Sequence, residues 1–307
     1  MAWFAPHGVS MTWIRLEAGP LSQWLFAAME KAGLPVSLLE IRRVRSAFKA
    51  MTVKTDRKDT LGIAHLMRMG WFRPVHCKSL AAQEVRSLLT ACKLLLSKRL
   101  DIEFSLRGAL IGCGLKVGLT TPKTFAGRVR ELTQGQATLE AIAEAMLKAC
   151  DALIKEGKEL ESRLLKQSRR DKRVQLLMTT PGVGALTALT FAAAIDDAGR
   201  FSSSRMVGAY FGLTPRKYQS GETDVTGRIS KVGDHVVRVA IYEAANVVLT
   251  RPVKGSALKS WAQGVAKRAG MKKTKVALAR KLAVVMHQML RSGKAFSLTG
   301  QPQAAAA

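Results

Sequence analysis

The chain has 307 residues, is 48% apolar, and carries 49 Lys and Arg against 22 Asp and Glu, a formal net charge of +27. That apolar content fills real cores in two or three domains and excludes a chain disordered throughout. The charge points to a polyanionic partner, most simply nucleic acid, with a merely solvated basic surface as the alternative. Residues 1–15 lack a basic start followed by an apolar run, so they do not read as a signal peptide. The uncharged stretch from Val174 to Ile195 is broken by Thr179-Thr180-Pro181-Gly182, and a membrane span is not expected. Cys77, Cys92, Cys113 and Cys150 lie far apart without a CxxC or a nearby His pair, which argues against a zinc site or a disulfide framework and for a reducing cytoplasm.

In chain order, Thr12-Trp13-Ile14-Arg15-Leu16 predicts a strand, and Leu21 to Ala32 an amphipathic helix closed by Gly33. Pro35-Val36-Ser37-Leu38-Leu39 predicts a second strand, followed by a basic helix holding Arg42, Arg43 and Arg45. This strand–helix order is that of a parallel α/β layer, though a short one. Residues 79–170 read as helical. Leu88, Leu89, Cys92, Leu95, Leu96 and Leu106 form one arm, and Leu139, Ile142, Met146, Ala149 and Leu153 step by threes and fours as in a coiled coil. Gly108, Gly112, Gly114, Gly118 and Pro122 mark the turn between the arms. From residue 171, Pro181-Gly182-Val183-Gly184 predicts a tight turn between two helices, either a phosphate cradle or an ordinary helix–helix turn. A polar loop is expected from Arg216 to Gly227, then two helices to about Arg291. Ser202, Ser203 and Ser204 read as caps ahead of Arg205 to Tyr210. After Glu243 come twelve Lys and Arg and no carboxylate, read as a phosphate-contacting surface.

Two groups of residues could carry chemistry. Asp56 and Asp59, three apart on a helix, share a face and with Glu17 would offer hard oxygen ligands to Mg²⁺. Their alternative role is local, Asp56 as a helix cap and Asp59 as a first-turn charge. Ser220, beside Gly221 and close in sequence to Arg216, Lys217 and Arg228, could attack a phosphodiester while the cations steady the transition state. A simple Ser-Gly turn is the alternative, and Ser230 is a weaker rival nucleophile.

Leu16-Glu17-Ala18, Lys54-Thr55-Asp56-Arg57-Lys58-Asp59, Pro181-Gly182-Val183-Gly184, Tyr210-Phe211-Gly212-Leu213-Thr214-Pro215-Arg216, Ser220-Gly221 and Gly227-Arg228-Ile229-Ser230-Lys231-Val232-Gly233-Asp234 together resemble the IS-one-ten family of insertion-sequence transposases. These are DEDD-type, RNA-guided recombinases related to pilin-gene invertases. The resemblance implies a mixed, mainly α fold. Residues 1–78 would be a RuvC-like (RNase H-like) α/β domain, 79–170 a helical coiled-coil arm, 171–295 a mostly helical C-terminal transposase domain with a helix-hairpin-helix-like turn, and 296–307 a disordered tail. By motif match, Glu17, Asp56 and Asp59 take the second to fourth of four Mg²⁺-binding acidic positions, and Ser220 takes a serine that links covalently to DNA. Nucleic-acid contacts are expected from Gly182, Gly184, Arg216, Lys217, Arg228, Lys231, Lys272, Lys273 and Lys275. The implied partners are DNA, a structured guide RNA and further copies of the chain, as a dimer or tetramer, at the bacterial nucleoid. The family's first acidic residue has no counterpart here, since residues 1–16 hold no Asp or Glu. The expectation is therefore an N-terminally truncated copy, with a remnant that only binds nucleic acid as the alternative.

Overall fold

The computed structural model describes residues 12–40, 55–72, 74–252 and 255–299; the side chains of Asp56 and Asp59 lie outside the described set. The chain divides into two units, Met1–Ser79 and Leu80–Ala307.

In the first unit, β1 (Ile14–Glu17) and β2 (Val36–Leu39) pair in parallel, with α1 (Ser22–Lys31) between them in sequence. The strand–helix–strand order is as predicted, but β3 (Pro74–Val75) runs antiparallel to β2, so the sheet is mixed. The basic helix expected at Arg42, Arg43 and Arg45 lies outside the described residues. Leu39 from β2 and Leu66 from α2 (Asp56–Arg68) are buried together, with Ile63 and Phe72 against them. The cap of α2 is Thr55 rather than Asp56. Its backbone is extended (φ −143, ψ 152) and its Oγ1 accepts the Lys58 N–H at 3.2 Å. Asp56 is the first helical residue.

The second unit is helical apart from one hairpin among the described residues. Helices α3 (Leu80–Gly112) and α5 (Ala137–Arg170) run antiparallel: Leu106 and Leu110 meet Ala143 and Leu147 at one end, while Val85 and Leu164 share a core at the other. Helix α4 (Phe125–Thr133) closes the far end with Phe125 and Val129. Two details differ from expectation. Gly108 and Gly112 lie inside α3, and the chain leaves the helix toward Gly114. The seam of α5 is also offset from the predicted one: Ala143, Leu147 and Cys150 are buried, whereas Ile142 is 43% exposed and Ala149 is exposed. Small residues at 143 and 150 let the backbones approach closely, and the larger predicted set falls to the flank.

The main core gathers α6 (Lys172–Met178), α7 (Ala185–Ile195), α8 (Met206–Tyr210), α9 (His235–Thr250) and α10 (Ala257–Ser292). Every residue of α7 from Ala188 to Ile195 is buried, which accounts for the long uncharged stretch as a central helix. No helix of the described residues is long and apolar enough to cross a membrane. Helix α10 bends at Gly270 (φ 76, ψ 161), and beyond the bend Leu278, Leu282 and Met286 complete the core. The acid-free segment after Glu243 is therefore amphipathic, with an apolar stripe inward and Lys272, Lys273, Arg280 and Lys281 outward. Of residues 296–307, those at 296–299 are described: the Phe296 N–H donates to Thr179 Oγ1 at 3.0 Å, and the Leu298 carbonyl accepts the Ala257 N–H at 3.1 Å.

One buried histidine sits in this core. His287 Nε2–H donates to the Ala198 carbonyl at 3.1 Å, which leaves Nδ1 to accept the Ser204 hydroxyl at 2.8 Å. Ser204 thus serves α10 and does not cap α8, whose N-terminus has no side-chain cap. Burial pushes the His287 pKa down; the Ala198 carbonyl pulls the other way, and Arg291 and Arg200 add to burial. The neutral ring belongs to the folded state. Stability should hold above about pH 6.5, where the unfolded ring is also neutral. It should fall as pH drops toward the lowered folded pKa, with a limiting slope of about 1.4 kcal/mol per pH unit. Denaturant midpoints between pH 5 and 8 should show this slope in the parent protein and lose it in His287→Gln.

Candidate nucleic-acid interface and serine hairpin

Two motif turns meet backbone to backbone and root the site. Tyr210-Phe211-Gly212 ends α8, and Lys231-Val232-Gly233-Asp234 leads into α9. The Ser230 N–H donates to the Thr214 carbonyl at 2.8 Å and the Lys231 N–H to the Gly212 carbonyl at 3.1 Å. A Cβ on Gly212 (φ 68) would stand 2.1 Å from the Val232 carbonyl oxygen, and one on Gly233 (φ 89) would stand 2.1 Å from that of Tyr210. Only glycine allows both the approach and the left-handed backbone. Arg238 clamps the pair: its Nη1 donates to the carbonyls of Phe211 (3.1 Å), Val232 (3.2 Å) and Gly233 (3.0 Å). Sequence reasoning did not single out this arginine, and its place four residues after Asp234 was the available signal. Asp234 caps α9, accepting the N–H groups of Val236 (2.9 Å) and Val237 (3.4 Å), and meets Arg86 Nη1 of α3 at 2.7 Å. Burial would raise the Asp234 carboxyl, but the Arg86 guanidinium and the two N–H groups outweigh it and hold the pKa below the usual carboxylate value.

From this platform rises a feature that the sequence reading took for a polar loop. Strands β4 (Pro215–Ser220) and β5 (Thr223–Ile229) form an antiparallel hairpin in which Ser220 faces Thr223 across the turn Gly221-Glu222. Gly221 takes a positive φ of 55 at the first turn position, which a two-residue hairpin loop favours. The register slips at Arg216, opposite Gly227 and Arg228, so the hairpin is bulged near its base. Every residue of β4, and of β5 up to Arg228, is exposed on both faces. Ser220 shares a face with Tyr218 and Val225, which are 66% and 56% exposed. Arg216, four residues back along an extended strand, is about 13 Å away. Its Nη2 donates to the Ser230 carbonyl at 3.2 Å, and Lys217 pairs with Asp224 at 3.1 Å. Arg228 is exposed next to the bulge. Ser230, the rival hydroxyl, accepts the Val232 N–H at 3.4 Å and so serves the platform turn.

A basic trough lies at the foot of the hairpin. Leu213, Ile229 and Val276 form a ridge shared by two adjoining hollows of about 440 and 320 Å³. The larger is edged by Trp261, Lys273, Arg280 and Lys281, and the smaller by Lys231, His235, Arg238 and Tyr242, with Glu243 as its carboxylate. Of the lysines predicted to touch nucleic acid, Lys231 and Lys273 line the trough, Lys272 is exposed beside it on α10, and Lys275 is half-buried. If Lys231 and Lys273 each neutralise one phosphate, Lys231→Gln with Lys273→Gln should flatten the log–log salt dependence of nucleic-acid affinity by about 1.8, at about 0.9 per contact. Titrations between 50 and 200 mM salt test this, and an unchanged slope would mark both ammonium groups as merely solvated.

The Pro181-Gly182-Val183-Gly184 turn joins α6 to α7 as predicted. Gly182 (φ 78) has a structural cause of its own, since a Cβ there would stand 2.7 Å from the Ala244 carbonyl oxygen and 2.8 Å from Val248. Gly184 caps α7 with open space around it. In the first unit, Glu17 is the exposed last residue of β1, and Asp56 and Asp59 lie three apart in the first turn of α2. The sheet and helix backbones thus carry the three acids, while the arrangement of the two aspartate carboxylates lies outside the described residues.

Residues 174–259 match the model of the Transposase IS116/IS110/IS902 family. The matched stretch begins in α6 and takes in the glycine turn, the platform, the serine hairpin and α9. Over that stretch the chain is similar to the IS116/IS110/IS902 transposases. It is 29% identical over 268 residues to the transposase for insertion sequence element IS1111A of Coxiella burnetii, covering 84% of this chain and 72% of that one. It is likewise 29% identical over 289 residues to a probable family 20 transposase of Pseudomonas aeruginosa, covering 90% of this chain and 83% of that one. A shorter similarity, 29% over 126 residues, links the chain to the pilin gene-inverting protein of Moraxella bovis, over 40% of this chain and 38% of that one.

Proposed function

We propose that this chain breaks and rejoins DNA as an insertion-sequence transposase, with Ser220 as the nucleophile. The observation that carries the reading is an exposed hydroxyl at the tip of an unburied hairpin, rooted in a backbone platform inside the family-matched segment. In the proposed step, Ser220 Oγ attacks a backbone phosphorus and a deoxyribose oxygen leaves. The serine proton passes to a base, and the phosphate stays as a phosphoserine diester. Attack by another deoxyribose hydroxyl reverses the exchange on a new strand, so no external energy source is needed. The similarity to a protein that inverts a gene supports rejoining as well as cutting.

Glu17, Asp56 and Asp59 offer hard carboxylate oxygens, the donor type that Mg²⁺ prefers, and would hold it. Bound there, the ion would polarise the scissile phosphate and stabilise the leaving oxygen. The trough would hold phosphates flanking the break. A structured guide RNA is proposed as the source of sequence selection, because phosphate contacts by lysine and arginine fix register without reading bases. A second copy of the chain is proposed to complete the reacting assembly.

The test is a supercoiled plasmid carrying the flanks of the gene, incubated with the protein, its flanking transcript and Mg²⁺, then resolved under denaturing conditions. An SDS-resistant, protease-sensitive protein–DNA adduct is expected. Strand breaks without any adduct would overturn the serine mechanism, and neither breaks nor adducts would overturn the recombinase reading.

A further inference from the structure

The larger hollow of the trough is built unlike a phosphate groove. Its floor is apolar, made by Leu213, Ile229, Val276 and Val284, and Trp261 stands at one wall, 36% exposed. Charge enters at the rim, from Lys273, Arg280 and Lys281, and among the described residues no carboxylate lines this hollow. The bend at Gly270 brings the first part of α10 back toward the second, so that Lys281 Nζ lies 4.1 Å from the centroid of the Trp261 ring. Burial lowers the pKa of that ammonium. A phosphate-only contact has no use for an indole and an aliphatic floor. A basic peptide or a second copy of this basic chain would meet unfavourable like charge at the rim. An aromatic face beside an apolar floor, ringed by cations, matches one unstacked nucleobase with a phosphate on either side.

We propose that this hollow receives a single nucleobase drawn out of its stack, which lies against Trp261 while Lys273, Arg280 and Lys281 hold the phosphates flanking it. The proposal rests on the reading of the chain as a nucleic-acid enzyme and adds a base-holding subsite to it. Leu213 and Ile229 belong to the floor and also flank the platform and the foot of the hairpin that carries Ser220. An extruded base would thus anchor the strand on which the hairpin works. The recognition is by π-face and therefore tolerant of base identity.

The test compares two fluorescein-labelled oligonucleotides of equal charge, a dT15 strand and the same backbone with tetrahydrofuran abasic sites throughout. The full-length protein is expected to bind dT15 about tenfold more tightly than the abasic strand. Trp261→Leu should erase that preference by weakening dT15 alone, Trp261→Phe should retain most of it, and Lys281→Gln should weaken both strands and flatten the salt slope. The subsite is refuted if Trp261→Leu keeps the preference, or if it lowers both affinities equally, which is the mark of a structural role. A protein that binds a duplex with full salt dependence but shows no dT15 preference loses the subsite and keeps the proposed function. One that binds neither strand nor duplex loses both.

Discussion

Gly212→Ala and Gly233→Ala should each destabilise the Leu80–Ala307 unit by about 4 kcal/mol or more, at the extreme of single-residue effects. Two costs combine. A left-handed backbone charges any Cβ about 1–2 kcal/mol, and here the new atom would also stand 2.1 Å from a carbonyl oxygen of the facing turn. That oxygen is main chain, so relief requires the two turns to part. Parting breaks the Ser230–Thr214 and Lys231–Gly212 hydrogen bonds and the three-carbonyl grip of Arg238. With total stabilities of about 5–15 kcal/mol, the variants should be largely unfolded or protease-sensitive at 37 °C. Gly221→Ala is the control: φ is 55, but a Cβ there meets nothing within 4 Å, so only the conformational cost remains. Urea midpoints of the three variants should separate cleanly. Equal losses at all three positions would mean that close packing of the platform contributes nothing.

Ser220→Ala should abolish covalent adducts and strand rejoining and leave folding, nucleic-acid affinity and its salt slope intact. The residue sits on an exposed strand whose pairing uses backbone groups, and alanine keeps the backbone, so a fold effect is not expected beyond about 0.5 kcal/mol. The loss should reach the assay background, because removing a covalent nucleophile leaves no bond to form. Ser220→Cys serves as the informative second variant, since a thiolate can form a slower adduct at the same position. Persistent adducts in Ser220→Ala that vanish in Ser230→Ala would move the nucleophile to the platform turn.

The sequence revealed more of the fold's order than of its geometry. Apolar spacing located α3 and α5; α9 and α10 were expected as two helices running to about Arg291, and the motif glycines marked every tight turn of the site. The turn between β4 and β5 was visible in Ser220-Gly221, yet the hairpin read as a loop because a strand exposed on both faces shows no apolar alternation to detect. The α5 seam was misplaced by about one position because Ala143, Cys150 and Gly157 are small, so a search for large apolar residues steps to the neighbouring stripe. Arg238, Trp261 and the His287–Ser204 pair were missed for a common reason. Each acts through a partner distant in sequence or across a bend, as Ser204 and His287 do across 83 positions. The acidic residues are the converse case, readable as donors by type and spacing while their convergence depends on tertiary placement.

Asp234 has consequences beyond its own helix. One carboxylate both starts α9 and grips Arg86 of the long antiparallel arm. A tug along the arm therefore loads the opening turn of α9, where His235 and Arg238 edge the smaller hollow. The ion pair adds a directional polar tie to the apolar core that Val85 and Leu164 share with Val237 and Ile241, and Arg86→Met would remove that tie while leaving the shared core in place.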